Sequence, residues 1–175
     1  MTKAQGASVH ASAVLVGDRA VLIRGPSGAG KSHLAFDLIL AGRSGQIPPA
    51  VLVGDDRVHL ETNGGQLTVR PARELAGLIE IRGLGIRRCD FAEEAVVGLV
   101  IDLNAPDAER LPQPEALATR ISGIEIPRIP VGAGCAGLPL AIAALTMTAS
   151  SSSNHPSADC SKGIGNHISG TLATE

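Results

Sequence analysis

The chain reads as an α/β domain: a P-loop-containing mixed β-sheet with flanking helices. Two observations carry that prediction. An apolar run, Ala20-Val21-Leu22-Ile23, leads through Gly25-Pro26-Ser27-Gly28-Ala29-Gly30-Lys31-Ser32 into a segment with apolar residues at helical spacing. Around it stand short apolar or alternating segments separated by Gly, Pro, Asn and Asp, the punctuation of strands and turns. At 175 residues, 44% of them hydrophobic, the chain has one domain's length and enough apolar surface for a core.

Strand, glycine-rich loop and helix, in that order, form the context of a phosphate-binding loop. Gly25, Gly28 and Gly30 let the backbone turn tightly and bring its N–H groups close to phosphate oxygens. The helix that follows adds free N–H groups and its dipole. In this chemistry Lys31 reaches the β- and γ-phosphates, and the Ser32 hydroxyl ligates Mg²⁺. The plainer alternative is a glycine-rich turn between a strand and a helix. The fixed positions and their flanks favour binding of a nucleoside triphosphate.

Residues 8–16 are expected to form one strand, with Gly17-Asp18 turning into a second over Arg19 to Arg24. His10 lies on the first and is either a packed or surface histidine or a site residue. The helix after the loop should reach about Ala41, with Gly42 as its stop signal, before a polar loop to Pro49. Ala50-Val51-Leu52-Val53 reads as a short buried strand that delivers Asp55 and Asp56. After a phosphate-binding loop, such a strand is where a Mg²⁺-binding or base carboxylate is expected; otherwise the pair is a solvated turn.

Val58 to Thr62 and Gln66 to Arg70 alternate around Asn63-Gly64-Gly65, a hairpin pattern. Pro71 opens a loop or short helix through Glu74 and Leu75. In Leu78-Ile79-Glu80-Ile81-Arg82-Gly83-Leu84-Gly85-Ile86, Glu80 and Arg82 are expected to share one strand face. They could be a surface charge pair or part of a site. Ala95 to Leu103 reads as a central buried strand, and Ile124 to Val131, with two prolines, as an edge strand. Leu138 to Met147 is apolar all round, which predicts a buried terminal helix. Two domains of composition follow: a folded unit over 1–147, and a serine- and glycine-rich tail over 148–175 that is expected to be disordered.

Composition excludes several functions. A formal net charge of −2 and only two aromatic residues, Phe36 and Phe91, give no footprint for nucleic acid. The apolar runs fall well short of the roughly 18 residues a membrane span needs. No apolar signal core follows Met1, so a cytoplasmic protein is expected. Cys89, Cys135 and Cys160 form no C-x-x-C pair, which predicts free thiols rather than zinc or disulfides. His155 and His167 are too far apart to read as metal ligands.

The phosphate-binding loop, then Gly54-Asp55-Asp56-Arg57-Val58, then Ile79-Glu80-Ile81-Arg82-Gly83-Leu84-Gly85-Ile86, together resemble the HPr kinase/phosphorylase family over about residues 8–131. The last stretch resembles the family's own signature. The resemblance implies the catalytic domain alone, in the form of the shorter proteobacterial members. It implies a Mg²⁺- and ATP-dependent protein serine kinase acting on HPr, the phosphocarrier of the sugar phosphotransferase system, in a homo-oligomer of commonly six subunits. Lys31 would contact the β- and γ-phosphates, with Ser32 and Glu80 holding Mg²⁺. Asp55 would be the base toward the substrate serine, and Asp56 would assist or be the base itself. His10 matches the histidine that opens the family's catalytic domain. Arg110 matches an arginine that stabilises phosphate charge, and Arg82 would position.

Many members also run the reverse reaction, in which inorganic phosphate attacks phosphoserine. They carry a basic glycine-containing loop after the strand that corresponds to Ile126-Pro127-Arg128-Ile129-Pro130-Val131. Here that loop is Gly132-Ala133-Gly134-Cys135-Ala136-Gly137, without a cation, which predicts weak or absent phosphorolysis. Residues 44–49 also lengthen the link from the helix to the Asp55 strand. Two rival functions remain at this level: a P-loop phosphotransferase with a small-molecule acceptor, and a nucleotide-binding regulator without transfer activity.

Overall fold

The structure, a computed structural model, describes residues 7–147; the expected tail over 148–175, with Cys160, His155 and His167, lies outside the described residues. The single strand expected over 8–16 is two strands, β1 (Ala7–Val9) and β2 (Ser12–Val16). They separate at His10-Ala11 because their partners differ. β2 lies between β3 (Arg19–Arg24) and β4 (Ala50–Gly54), while β1 pairs with β5 (Val58–Asn63).

Helix α1 (Lys31–Arg43) runs past the expected stop at Gly42. The glycine that ends it is Gly45, at φ +74°. The Gln46 N–H donates to the Ala41 carbonyl at 3.0 Å and the Gly45 N–H to that of Gly42 at 3.2 Å, which caps the last turn. Gly42 serves packing instead: a Cβ there would stand 2.7 Å from both the Cβ and the backbone nitrogen of Ala50 as β4 begins.

β5 and β6 (Gln66–Pro71) form the expected hairpin, with Gly64 and Gly65 both at positive φ in the two-residue turn. A 3₁₀ turn at Arg73–Leu75 leads to β7 (Leu78–Ile81) and β8 (Gly85–Arg88), a separate two-stranded ribbon. β7 ends before Arg82, so Glu80 and Arg82 do not share a strand face; Arg82 lies in the ribbon's turn. β9 (Ala95–Leu103) is central, as expected. A second 3₁₀ turn, Pro114–Leu117, precedes β10 (Ala118–Ile121) and β11 (Ile124–Val131), and α2 (Gly137–Thr146) closes the described chain.

The main sheet is mixed, in the order β1-β5-β6-β9-β3-β2-β4. β9 runs parallel to β3 and to the second half of β11, and antiparallel to β6. The first half of β11 pairs with β10, so the expected edge strand has a partner along each half, on different neighbours.

β3 shows why its apolar run is unbroken. Val21 and Ile23 face a core shared with Leu34, Leu38 and Ile39 of α1, while Ala20 and Leu22 face a second core with Val58, Leu67 and Val69 of the β5–β6 hairpin. Both faces of the strand are therefore covered, one by helix and one by the curled sheet itself. α2 departs from expectation. Among the described residues of this segment only Ala141 is fully buried, packed into the α1 core, and Leu140 and Met147 are exposed, because the described neighbours, chiefly α1, β9 and β11, do not surround the helix.

One prediction follows from the crowding at Gly42. Gly42→Ala should destabilise the domain by up to about 2 kcal/mol in urea unfolding, because overpacking against Ala50, about 1–3 kcal/mol, outweighs alanine's helix preference of about 1 kcal/mol.

Candidate active site

β3 ends at Arg24 and the chain turns through the glycine-rich loop into α1. Gly25, Gly28 and Gly30 all have positive φ. At Gly25 a Cβ would lie 2.9 Å from the Leu103 carbonyl oxygen, so only glycine lets the loop start against the end of β9. At Gly28 and Gly30 a Cβ would meet nothing within 4 Å, because these positions face a cavity. Lys31 is buried and donates from Nζ to the carbonyls of Gly25 and Pro26 at 2.9 and 3.0 Å, arching over the loop. α1 has no side-chain cap and no acidic residue in its first turn, so its free N–H groups point to the same cavity.

That cavity, about 590 Å³, gathers Ser27 to His33 on one side and His10, Asp56, Glu80 and Arg82 on the other. Gly25 and Pro26 lie behind the lining and serve as acceptors for Lys31. Ser27 and His33 complete the wall; His33 lies on the first turn of α1, 3.5 Å from Asp37 one turn on. Arg110 lies on the exposed connection after β9, outside the lining residues.

The two adjacent carboxylates have different surroundings. Asp55 is 3% exposed. Its Oδ1 accepts from Ser12 Oγ at 2.5 Å and Ser32 Oγ at 2.8 Å, and its Oδ2 from the Glu80 backbone N–H at 3.0 Å. Asp56 sits at φ +63°, a left-handed conformation that reverses the chain and turns its side chain outward. Its Oδ1 lies 3.0 Å from His10 Nε2, both groups being more than half exposed. Ser12 is a residue that the strand pattern alone did not mark; a buried serine in an apolar strand needs a polar partner, and that was its signal.

The residues fit a hydrated magnesium ion bound with a nucleotide. Hard oxygen donors, the Ser32 hydroxyl beside Asp55 and the Glu80 carboxylate, line the same cavity as the glycine-rich loop. Among the described residues no group of three or more His, Cys, Asp or Glu side chains is arranged to hold a metal by itself. Magnesium suits such a sparse set, since it keeps waters and phosphate oxygens as most of its ligands.

A second polar cluster, unmarked in the sequence, adjoins the loop. Arg24 Nε and Nη2 each donate to Asp102 at 2.7 Å, across the register pairing of β3 with β9. Arg128 Nε donates to Asp102 Oδ2, the oxygen that also accepts from Arg24 Nη2, at 2.5 Å, and its Nη1 and Nη2 donate to Asp107 at 2.6 and 2.9 Å. Burial pushes the Asp102 carboxyl up, but the hydrogen bonds and charges of Arg24 and Arg128 outweigh it and hold the group below the usual carboxylate range. The Arg128 hydrogen bonds lower Asp107 likewise, and Arg128 itself is raised, chiefly by Asp107.

Two outcomes are expected. Asp55→Ala should cost about 2–4 kcal/mol in thermal or urea unfolding, since it strands donors from three elements, the buried Ser12 hydroxyl among them, while Asp56→Asn should stay within about 0.5 kcal/mol because the group is exposed and Asn tolerates positive φ. Because Asp102 and Asp107 are depressed in the folded state, their stabilisation is complete above the unfolded carboxylate value of about 4 and is lost as pH falls through the lower folded values. Melting temperature should therefore drop below about pH 4, and Asp102→Asn should flatten that dependence in melts taken at successive pH values.

Comparison with known proteins joins this geometry to a family. The model of the HPr Serine kinase C-terminal domain matches residues 2–155. An HPr kinase/phosphorylase of Enterococcus faecalis is 38% identical over 142 residues, covering 73% of this chain and 43% of its own length. One from Mycoplasma mycoides subsp. mycoides SC is 33% identical over 144 residues, with the same 73% and 43% coverage. The chain thus spans less than half the length of these curated relatives. A solved structure, the Hpr(Ser) kinase/phosphatase from Coxiella burnetii, superposes with a TM-score of 0.63 at 29% identity, covering 79% of this chain and 93% of that one. The α/β fold expected from the phosphate-binding loop is thereby matched in a solved relative. A family model over most of the chain, together with a glycine-rich loop, Asp56 and Glu80 lining one cavity, leads to one conclusion: the chain belongs to the HPr serine kinase family, through its C-terminal domain.

Proposed function

We propose that this chain is an ATP- and Mg²⁺-dependent protein serine kinase that phosphorylates the phosphocarrier HPr on a regulatory serine and so regulates carbohydrate metabolism through the phosphotransferase system. The observation that carries the reading is the convergence of the loop Lys31 and Ser32, Asp56 with His10, and Glu80 with Arg82 on one cavity. Membership of the family supports HPr as acceptor.

In this reading the backbone of Ser27 to Lys31 cradles the triphosphate, and Lys31 swings its ammonium from the loop carbonyls to the β- and γ-phosphates. Ser32 and Glu80 would hold magnesium, which neutralises charge on the transferring group when bound. Asp55 orients Ser32, because its oxygens are already engaged by three donors. Within the acidic pair the geometry favours Asp56 as the base. It lines the cavity, keeps one oxygen without a partner among the described residues beside the one that meets His10, and can take the proton of the attacking serine hydroxyl. His10 orients Asp56. Arg82 would position the phosphoryl group from the cavity wall, and Arg110, outside that wall on the exposed connection after β9, would add positive charge to it on the strength of the family resemblance.

The loop over residues 132–136 is mostly exposed and carries no cation, which supports weak phosphorolysis. A homo-oligomer, six subunits by analogy with the family, and a cytoplasmic location belong to the same proposal. Among the described residues no helix is long and apolar enough to cross a membrane.

The test is transfer from Mg-ATP to HPr, read by intact mass and phosphosite mapping. A single phosphoserine is expected. Asp56→Asn should lower kcat by about 10²–10⁴-fold with ATP binding retained, while Lys31→Ala should also weaken ATP binding. Release of pyrophosphate from phospho-HPr at a rate matching the kinase would contradict the loop argument, and sedimentation of a monomer would overturn the assembly.

A further inference from the structure

The Arg128 guanidinium holds two widely spaced points of one loop. Its Nη1 donates to Asp107 Oδ2 at 2.6 Å and also to the Ala116 carbonyl at 2.9 Å, while Nη2 reaches Asp107 Oδ1 at 2.9 Å. Residues 107 and 116 bracket the exposed segment that carries Arg110. Arg110 itself makes no hydrogen bond or ion pair among the described residues, so its side chain does nothing to fix that segment. The remaining donor of Arg128, Nε, meets Asp102, whose carboxylate is also gripped by Arg24. Arg24 is the last residue of β3, immediately before Gly25 of the phosphate-binding loop. A continuous chain of charge-assisted hydrogen bonds therefore runs from the entry of that loop to both ends of the Arg110 segment. Arg128 is 12% exposed, and its planar fork satisfies these acceptors at once, which a lysine ammonium could not do with the same geometry.

We propose that Arg128 is a positioning residue for phosphoryl transfer: it staples the 107–116 segment closed and, through Asp102 and Arg24, fixes the Arg110 that this segment carries relative to the phosphate-binding loop. The inference rests on the kinase reading above and adds a device to it. A free ten-residue segment would spend its time in many closures; the staple removes that freedom before the transition state forms.

The experiment uses the full chain with Mg-ATP and HPr, and the variants Asp107→Asn and Arg128→Lys, each alone and combined with Arg110→Ala. Asp107 is nearly half exposed, so its variant keeps the fold, which melting checks. Each single variant should lose about ten-fold in kcat with ATP affinity unchanged, and should lose nothing more once Arg110 is alanine. Trypsin should also cut faster after Arg110 in Asp107→Asn than in the parent. Undiminished kcat in both variants overturns the proposal, as does an equal loss with and without Arg110, or a parallel loss of ATP affinity. If the parent transfers nothing to HPr, the kinase reading falls, and the trypsin rate decides the staple alone: faster cleavage upholds it and unchanged cleavage overturns it.

Discussion

One buried carboxylate organises the phosphate end of this domain. Asp55 sits at the end of β4 and takes hydrogen bonds from Ser12 on β2, Ser32 on α1 and the backbone of Glu80 on β7. Four elements meet at the two oxygens of one side chain. A carboxylate in so little water would be costly without donors, and with them it becomes a rigid centre. The hydroxyl beside it, the acid that follows it and the glutamate across from it inherit their positions from that centre.

The core makes the centre possible. β3 and β9 lie side by side in parallel with apolar residues on both faces, so their carboxyl-terminal ends are held in register by buried Val21, Leu22, Ile23, Val100 and Ile101. At those ends the apolar pattern stops and polar chemistry starts, with Arg24 opposite Asp102. The glycine-rich loop begins one residue later. Its geometry is therefore set by strand packing on one side and by the Asp55 centre on the other.

Much of this was legible in the residues. Gly25 to Ser32, the Gly64-Gly65 hairpin and the β9 run follow from local pattern, because local backbone geometry and two-sided burial decide them. What the pattern missed depended on distant partners. Nothing near His10 says that residues before and after it serve different strands, since β5 lies some fifty residues on. Gly42 has the look of a helix end, yet the demand on it comes from Ala50. Adjacent acids cannot be told apart by type, but positive φ at Asp56 turns them in opposite directions. Arg24 and Asp102 left one trace, a charge at the end of each of two apolar strands, which a register argument could have paired.

β11 hands over from one neighbour to another midway, pairing with β10 through Pro127 and with β9 from Arg128 onward. Each half leaves one edge open, which is how a strand with two prolines keeps a partner throughout. The two halves divide the work of holding what lies around them. β10 pairs with the first half only, whereas the segment before it is tied to Arg128, the residue that opens the second half. A parallel core and an antiparallel arm thus join at the single peptide bond between Pro127 and Arg128, and the side chain on the core side of that bond grips both.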